Sequence, residues 1–297
     1  MWIRVLPFFA SALLFMSAFF AIFTPFPLLT TRLRLGAKWF ALAVFTNAAL
    51  VVLASGWTGL GGFLILGFVV ASTLAAGFER GWRVEKTALV SFVGILMSGM
   101  ALLAVHAVIH RVGIMAELQA QLAVAVEMMS ETVVSGPEGL RTGILGGADL
   151  AEWKEGLRTE LPGALSVFCL VLVVLNMILA IRLNPAGIRE KGGIGSGFLL
   201  HWRAPEYLVW PTLLAGFFLL VDIHAAGWLP SAVFKTLMAV YALQGLSILG
   251  FFLELWRIRG AFRTAALVIA IFLMTPLLLS LGFFDLWFDF RSKFRQS

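Results

Sequence analysis

Two imidazole groups lie at a spacing that suits metal binding. In the stretch HAVIH, His106 and His110 are four residues apart. On a helix this separation stacks them on one face, where both rings can bind a single ion. No cysteine or third ligand stands out close to them in the sequence. We therefore expect no metal site, and solvated or helix-capping histidines are the preferred interpretation.

Carboxylates near the ends of two apolar runs also need an explanation, because a charge at membrane depth is costly. Asp222 faces Lys235 if the chain between them forms a helical hairpin, which predicts a buried ion pair; a substrate or proton role for Asp222 stays open. Asp285 and Asp289 share one face if the helix continues past them. A helix C-terminus disfavours carboxylates, so we expect pairing with Arg291, as in an Asp289–Arg291 ion pair, or with a cation from a neighbouring helix. Contact with a ligand or a coupling ion is the alternative.

Chain connectivity brings several of these groups to the same membrane face, because the apolar runs that carry them cross in the same direction. This predicts a polar pocket opening on that face. Gln244, like Asn47 and Asn176, lies deep in an apolar run, where a hydrogen bond between helices explains it equally well. The candidate pocket or coupling residues are Asp222, His224, Asp285, His106, His110 and Gln244.

The elements that carry these residues are too apolar for a water-soluble core. The chain is 61% hydrophobic and 13% charged, whereas soluble domains are about 25% charged. Uniformly apolar runs of this length indicate helices rather than barrel strands. We predict an all-α, polytopic transmembrane helix bundle of about eight spans, forming a single domain over residues 1–297. The predicted spans are 5–31, 39–54, 60–78, 87–110, 161–181, 207–226, 236–253 and 264–284.

A helical insert on the outer face is predicted for residues 111–160. Within it, residues 112–135 have the periodicity of an amphipathic helix, and a second amphipathic piece, 149–160, leads into Pro162 and the next span. The expected apolar face contains Met115, Leu118, Leu122, Val126, Met129 and Val133. The expected polar faces contain Glu117, Gln121, Glu127 and Glu131. The helix covers either the outer surface of the bundle or a cavity within it.

Charge distribution predicts the orientation. Most Lys and Arg residues lie in short loops on the side of the loop 182–206, so this loop is expected in the cytoplasm. The net charge of +6 therefore reflects this positive-inside pattern in a protein whose partner is the lipid bilayer, and does not indicate a nucleic-acid-binding protein. All ten tryptophans fall at span ends or in loops, as indole prefers the interface. Residues 28–35 form a half-span if TPFP (24–27) breaks the first run.

Five stretches resemble the YybS-like family of bacterial membrane proteins. They carry Pro25-x-Pro27 with the downstream arginines, the Arg-x-Pro of 203–205, the Gln-Gly of 244–245, the Gly-x-x-Asp of 282–285 and the Asp-Phe-Arg of 289–291. The family is remotely similar to the substrate-binding S components of energy-coupling-factor vitamin transporters. The resemblance implies a multi-pass protein of the bacterial cytoplasmic (inner) membrane, with a helix bundle and a small-molecule cavity. Those components have fewer spans, however, and their ligand residues cannot be placed here.

The expected function is non-enzymatic, because no nucleophile elbow, zinc-protease, nucleotide-binding or paired-carboxylate motif occurs. Binding or transport of a small molecule, as by the membrane subunit of a transporter, is the leading hypothesis, and no cofactor is expected. The alternative is a scaffold or assembly partner for other membrane protein subunits. A cavity bounded by the polar groups would favour the first. Tight helix packing with an exposed apolar patch would favour the second.

Overall fold

The computed structural model describes residues 7–17, 19–138, 144–145, 149–183, 200, 202–221 and 228–291. Within these ranges the chain forms helices joined by short turns and contains no strand. The predicted all-α class is therefore confirmed. The chain divides into two compact units, Met1–Lys154 with Phe168–Ile194, and Glu155–Val167 with Gly195–Ser297.

The first unit contains seven α-helices or parts of them among the residues that the structure describes. They are α1 (Pro7–Met16), α2 (Pro25–Leu35), α3 (Ala37–Phe63), α4 (Val70–Glu79), α5 (Val84–His110), α6 (Ile114–Ser135) and most of α7 (Leu150–Leu183). A 3-10 turn (Ala21–Phe23) precedes α2, and a π-helical segment (Leu64–Val69) joins α3 to α4.

The second unit begins with the middle of α7 and continues after the 182–206 connection, most of which lies outside the described residues. Its helices are α8 (Val209–Leu220), α9 (Leu229–Leu255), α10 (Ala261–Leu273) and α11 (Thr275–Phe288), with a 3-10 turn (Glu206–Leu208) before α8.

The number of candidate membrane spans is smaller than predicted. Four helical segments of the described chain are long and apolar enough to cross a bilayer: Ala37–Glu79, Val84–His110, Leu150–Leu183 and Leu229–Leu255. A fifth exists if the bent pair α10 and α11 is one span. Four to five candidates, rather than eight, are thus supported, because several apolar runs are shorter, longer or more broken as helices than their composition suggests.

The predicted separation at residues 55–62 corresponds to a kink rather than to a loop. The 43 residues Ala37–Glu79 form one helical segment, which would be about 64 Å long if it were straight. Gly56 interrupts it with φ 68° and ψ −165°, a conformation that residues with a Cβ rarely adopt. Trp57, directly after this kink, is 80% exposed.

The last predicted span, 264–284, is broken. Helices α10 and α11 are bent by 97° at Met274, whose φ of −122° and ψ of 22° are not helical. Pro276 lies in the first turn of α11. Proline has no N–H for the carbonyl of Phe272, and its ring clashes with that carbonyl in a continuous helix. The hydrophobicity pattern did not predict this break, because the residues before and after it are both apolar.

Helix α7 shows the opposite deviation. The amphipathic piece predicted for 149–160 and the following span form one 34-residue helix, with Pro162 inside it. The two runs were separated in the prediction because Pro162 favours a helix start. In the structure the segment before Pro162 continues the same helix, so the insert is joined to the span without a break.

The break predicted at TPFP is present, since α2 begins at Pro25. Side chains of α3 and α7 form hydrogen bonds with backbone groups of the N-terminal region. The Asn47 side-chain oxygen accepts a hydrogen bond from the Ala12 N–H at 2.7 Å, and the Asn176 amide donates to the Ile22 carbonyl at 2.8 Å. Both predicted interhelical hydrogen bonds are therefore confirmed. Such bonds keep irregular backbone tolerable where water is scarce.

The predicted insert helix is confirmed over Ile114–Ser135, but its buried face is partly different. Val126 and Val133 are buried as expected, while Met115 and Met129 are exposed. Glu117, expected on a polar face, is one of the buried residues of this helix. The turn before α6 folds its first residues back onto α5, and this contact could not be read from the periodicity of α6 alone.

Candidate functional site

A close contact between two helix backbones organises the second unit. Gly245 of α9 and Gly282 of α11 face each other. A Cβ added to Gly282 would lie 2.8 Å from the Tyr241 carbonyl carbon and 2.9 Å from the Gly245 nitrogen, and one added to Gly245 would lie 2.8 Å from the Leu278 carbonyl carbon. Real carbon contacts lie near 3.5–4.0 Å. Only glycine therefore allows these helices to approach so closely.

This contact brings a buried amide to a buried carboxylate. Gln244 precedes Gly245, and Asp285 follows Gly282 by almost one turn. The Gln244 Nε2 group donates a hydrogen bond to Asp285 Oδ2 at 3.0 Å, while Gln244 Oε1 accepts one from the Ala204 N–H at 3.0 Å. The interhelical hydrogen bonding predicted for Gln244 is thus confirmed, and both ends of its amide are bound within the protein.

Arg291 completes the network from beyond the end of α11. The helix ends at Phe288, and Asp289 is in the left-handed region with φ 41°. This reversal lets Arg291 Nη2 donate to Asp285 Oδ2 at 2.9 Å, and the Phe290 N–H donate to Asp285 Oδ1 at 3.0 Å. The side chains of Arg291 and Asp285 are buried.

The second nitrogen of the guanidinium joins the network to the chain before α8. Arg291 Nη1 donates to the carbonyls of Leu200 and Trp202 at 3.1 and 3.0 Å, and it contacts the Ser247 hydroxyl at 3.3 Å. A planar guanidinium with several fixed donors suits such multiple binding. We define the C-terminal network as Ala204, Gln244, Ser247, Asp285 and Arg291.

The ion pairs differ from those predicted. Arg291 pairs with Asp285, whereas Asp289 pairs with Arg203. The predicted Asp289–Arg291 pair assumed that the helix continues past Asp289, and the left-handed residue there turns Arg291 toward Asp285 instead. The expectation that Arg291 or another cation would pair with these carboxylates is nevertheless met.

The structure does not test the predicted ion pair between Asp222 and Lys235. Asp222 lies outside the described residues, so this pair stays a prediction. Lys235 forms an ion pair with Glu160 of α7, and its side chain packs against Gly163, where an added Cβ would lie 2.8 Å from Lys235 Cδ. His224, another candidate pocket residue, also lies outside the described residues.

The motifs quoted for the family resemblance come together in and around this network. The Arg-x-Pro stretch supplies Arg203 and Ala204, and the Gln-Gly stretch supplies Gln244 and one glycine of the close contact. The two terminal motifs supply Gly282 and Asp285, and then Asp289 and Arg291. Segments separated by more than 80 residues thus serve one local structure, which explains why they occur together in the sequence.

The side chains of the C-terminal network form hydrogen bonds mainly with one another and with nearby backbone. Asp285 accepts hydrogen bonds on both oxygens, and Gln244 is bound at both ends. Charges buried in this way are tolerated only when they are paired and hydrogen-bonded, and removing one partner of such a pair costs about 3–5 kcal/mol. Two of the predicted pocket residues, Asp285 and Gln244, are therefore joined as helix-packing groups.

A second polar cluster lies in the first unit, where α5 ends and α6 begins. His106 and His110 occupy the last two turns of α5, and Glu117 occupies the first turns of α6. The Glu117 carboxylate faces both rings, with Oε1 at 3.8 Å from His106 Nδ1 and Oε2 at 3.3 Å from His110 Nδ1. We call these three residues the histidine–glutamate cluster.

Local backbone geometry creates this cluster. Helix α5 ends at His110, the next residue, Arg111, is left-handed with φ 57°, and Gly113 precedes α6. The chain therefore reverses over three residues and returns Glu117 to the histidines. Negative charge is favoured near a helix start and positive charge near a helix end, so the two helix termini are electrostatically suited to these side chains.

Hydrogen bonds hold Glu117 in its ionised form. Gln121 Nε2 donates to Glu117 Oε1 at 2.8 Å, one turn further along α6. This bond, followed by the contact with His110, holds the pKa of Glu117 below its ordinary value of 4.5. The Glu117 side chain is 5% exposed, whereas those of His106 and His110 are 45% and 55% exposed.

The predicted pocket as a whole stays a prediction, because its described residues belong to both compact units. His106 and His110 belong to the first unit, and Gln244 and Asp285 belong to the second. Sequence reasoning missed Glu117, Arg203 and the Gly245–Gly282 contact. Glu117 is seven residues after His110, and the intervening glycine was the available signal for a turn that brings it back.

Comparison with known proteins gives one match. The model of a family described as "Predicted membrane protein (DUF2232)" matches residues 3–286. No curated protein and no solved structure matches the chain.

Proposed function

We propose a function for this chain on the premise that it belongs to the DUF2232 family of predicted membrane proteins: it is a non-enzymatic membrane subunit that binds or translocates a small molecule. The observation that supports this proposal is the 97° bend between α10 and α11. Discontinuous helices commonly form the binding sites of secondary transporters.

The break lies in the middle of a charge-free stretch. Between Arg263 and Asp285 the chain has 21 uncharged residues, 264–284, and Met274 is close to their centre. A stretch of this composition and length belongs in the hydrocarbon region. The backbone at Met274 and Thr275 is therefore placed where water is scarce unless a cavity supplies it.

Few hydrogen bonds within the described chain replace the helical ones that are lost at the break between α10 and α11. The Thr275 hydroxyl donates to the Ile271 carbonyl, and Met274 N–H donates to the Ala270 carbonyl at 2.9 Å. The first N–H groups of α11 have no acceptor within their own helix. Residues 271–277 are all exposed. Irregular backbone at membrane depth is tolerated when it lines a water-filled cavity or is buried in protein, and a cavity for a polar solute meets this condition.

Thiol labelling tests this proposal. Cys169 is the one cysteine of the chain, so a Cys169→Ala background carrying Thr275→Cys has a single reactive position. We expect a charged, water-soluble thiol reagent to label Thr275→Cys in lipid nanodiscs at least tenfold faster than Val268→Cys. Val268 is a matched control because it is 46% exposed in the regular part of α10. Small-molecule extracts of the source cells should slow the labelling.

A second candidate function, as an assembly partner of other membrane proteins, is favoured by a specific observation. The polar side chains of the C-terminal network are bound internally, while the exposed surface of α10 is apolar, including Phe262, Phe272 and Leu273. A partner helix would then cover the break. In that case Thr275→Cys should be protected in native membranes and react only after detergent extraction. Equal, slow labelling of Thr275→Cys and Val268→Cys in both settings would contradict both functions.

A further inference from the structure

We propose that the histidine–glutamate cluster of His106, His110 and Glu117 is a binding site for one divalent transition-metal ion of the Zn²⁺ type. This site would add a metal-dependent connection between α5 and α6. The inference rests on the geometry of the cluster in the first unit and does not depend on the proposed function of α10 and α11.

The donor atoms are already close enough for one ion. The ligand atoms of the three residues lie within 4.8 Å of one another. Zinc binds imidazole nitrogen and carboxylate oxygen at about 2.0–2.2 Å, which places tetrahedral ligand atoms about 3.3 Å apart. The His110 Nδ1–Glu117 Oε2 distance is 3.3 Å, and the His106 Nδ1–Glu117 Oε1 distance is 3.8 Å. The two rings thus face the two oxygens of one carboxylate, and side-chain rotation would bring all three donor groups around a single ion.

The surroundings of the Glu117 carboxylate also resemble those of a metal ligand in known sites. Glu117 is 4% exposed, and Gln121 donates a hydrogen bond to Oε1. Hydrogen bonds to ligating carboxylates orient them for the metal and raise affinity. The buried carboxylate is thus fixed in position, while the two rings extend from it toward the surface.

The type of donor selects the type of ion. Two imidazoles and one carboxylate suit Zn²⁺, Cu²⁺, Ni²⁺, Co²⁺ or Fe²⁺, whereas Mg²⁺ and Ca²⁺ prefer all-oxygen sites. Three protein ligands leave a fourth position open. His106 and His110 are about half exposed, so water or an external ligand can reach that position.

Metal binding would connect the amphipathic helix α6 to the apolar helix α5. Helix α5 is a candidate membrane span, whereas α6 is not. The ion replaces a weak contact between partly exposed imidazoles and a carboxylate by three coordinate bonds across the Arg111–Gly113 turn. Metal availability would therefore determine how firmly α6 is held against the end of α5.

The test is metal binding by the full-length protein, purified with a tag that contains no histidine and stripped with a chelator. We expect one equivalent of Zn²⁺ by competition with a chromophoric chelator. We also expect Co²⁺ to give visible absorption without a thiolate charge-transfer band. His110→Ala and Glu117→Gln should each weaken binding at least 100-fold, and Gln121→Ala should weaken it about 10–100-fold.

The matched control is Glu131→Gln, an exposed acidic residue of the same helix, which should leave binding unchanged. Hydrogen exchange at residues 114–124 supplies an independent readout, and it should slow when Zn²⁺ is added to the wild-type protein. Failure of the wild type to bind one equivalent, a thiolate band from Cys169, or binding that survives both His110→Ala and Glu117→Gln would overturn the proposal. If the cluster forms only an ion pair, Zn²⁺ should not change hydrogen exchange at residues 114–124. The wild-type measurements decide the matter even if a variant does not fold.

Discussion

Replacing Gly282 by alanine should disrupt the C-terminal network through the contact between α9 and α11. The new methyl group would lie 2.8 Å from the Tyr241 carbonyl carbon and 2.9 Å from the Gly245 nitrogen, compared with about 3.5–4.0 Å for ordinary carbon contacts. Both neighbours are backbone atoms, so no side-chain rotation relieves the clash. The helices must separate by roughly 1 Å.

A separation of this size would break the hydrogen bond between Gln244 and Asp285. The Gln244 Nε2–Asp285 Oδ2 distance, now 3.0 Å, would become about 4 Å, beyond hydrogen-bond range. Losing a hydrogen bond to a charged group costs about 1.5–3 kcal/mol, and overpacking costs about 1–3 kcal/mol. The higher helix propensity of alanine returns about 1 kcal/mol. The expected net loss of stability is about 1.5–5 kcal/mol.

Thermal unfolding in detergent, followed by tryptophan fluorescence, measures this effect. We expect Gly282→Ala to lower Tm by about 5–15 °C. The control is Gly216→Ala in α8 of the same unit, where the added Cβ would lie 3.4 Å from the ring of Phe234, an ordinary contact. Asp285→Asn should also destabilise the protein by removing the charge that pairs with Arg291, and its effect should be less than additive with that of Gly282→Ala, because both disturb the contacts of the same side chain. Equal melting of Gly282→Ala and wild type would refute the reasoning.

Three further predictions concern other parts of the chain. Pro276→Ala restores a donor in the bent region, so it should raise thermal stability by up to about 3 kcal/mol and slow the labelling of a cysteine placed at Thr275. Asn47→Leu removes the buried hydrogen bond between the Ala12 N–H and the Asn47 side chain and should cost about 1–3 kcal/mol, measured by thermal unfolding in detergent. Lys154 holds the pKa of Glu127 below its ordinary 4.5, so this contact is complete above that value and is lost as pH falls through the lowered pKa. Hydrogen exchange around Glu127 should therefore quicken at acid pH, and Glu127→Gln should abolish this pH dependence.

The sequence predicted features that depend on composition and on local periodicity. The all-α class, the amphipathic helix after α5 and the interhelical bonding of Asn47 and Asn176 follow from apolar content, from helical spacing and from the cost of unpaired polar groups. Each of these depends on residues near one another in the chain or on the membrane as solvent. The structure bears them out with small shifts in helix boundaries.

Features that depend on a change of chain direction were predicted less well. The left-handed Asp289 redirects Arg291 to Asp285, and the turn at Arg111 returns Glu117 to the histidines. The backbone conformation of one residue determines each of these contacts. The hydrophobicity pattern of the sequence does not indicate that conformation. The span count differed for a related reason, since the runs 39–54 and 60–78 form one kinked helical segment and a helix boundary at Pro25 divides the first run.

The length of α5 has a consequence for where its last turns lie. A helix of 27 residues is about 40 Å long, whereas the hydrocarbon core is about 30 Å thick. The excess is accommodated by tilting or by extending into the headgroup layer. If α5 stands upright, one to two turns emerge, and these include His106 and His110. A thicker bilayer would draw both rings toward the acyl chains, so lipid composition becomes a variable that controls their access to water and ions.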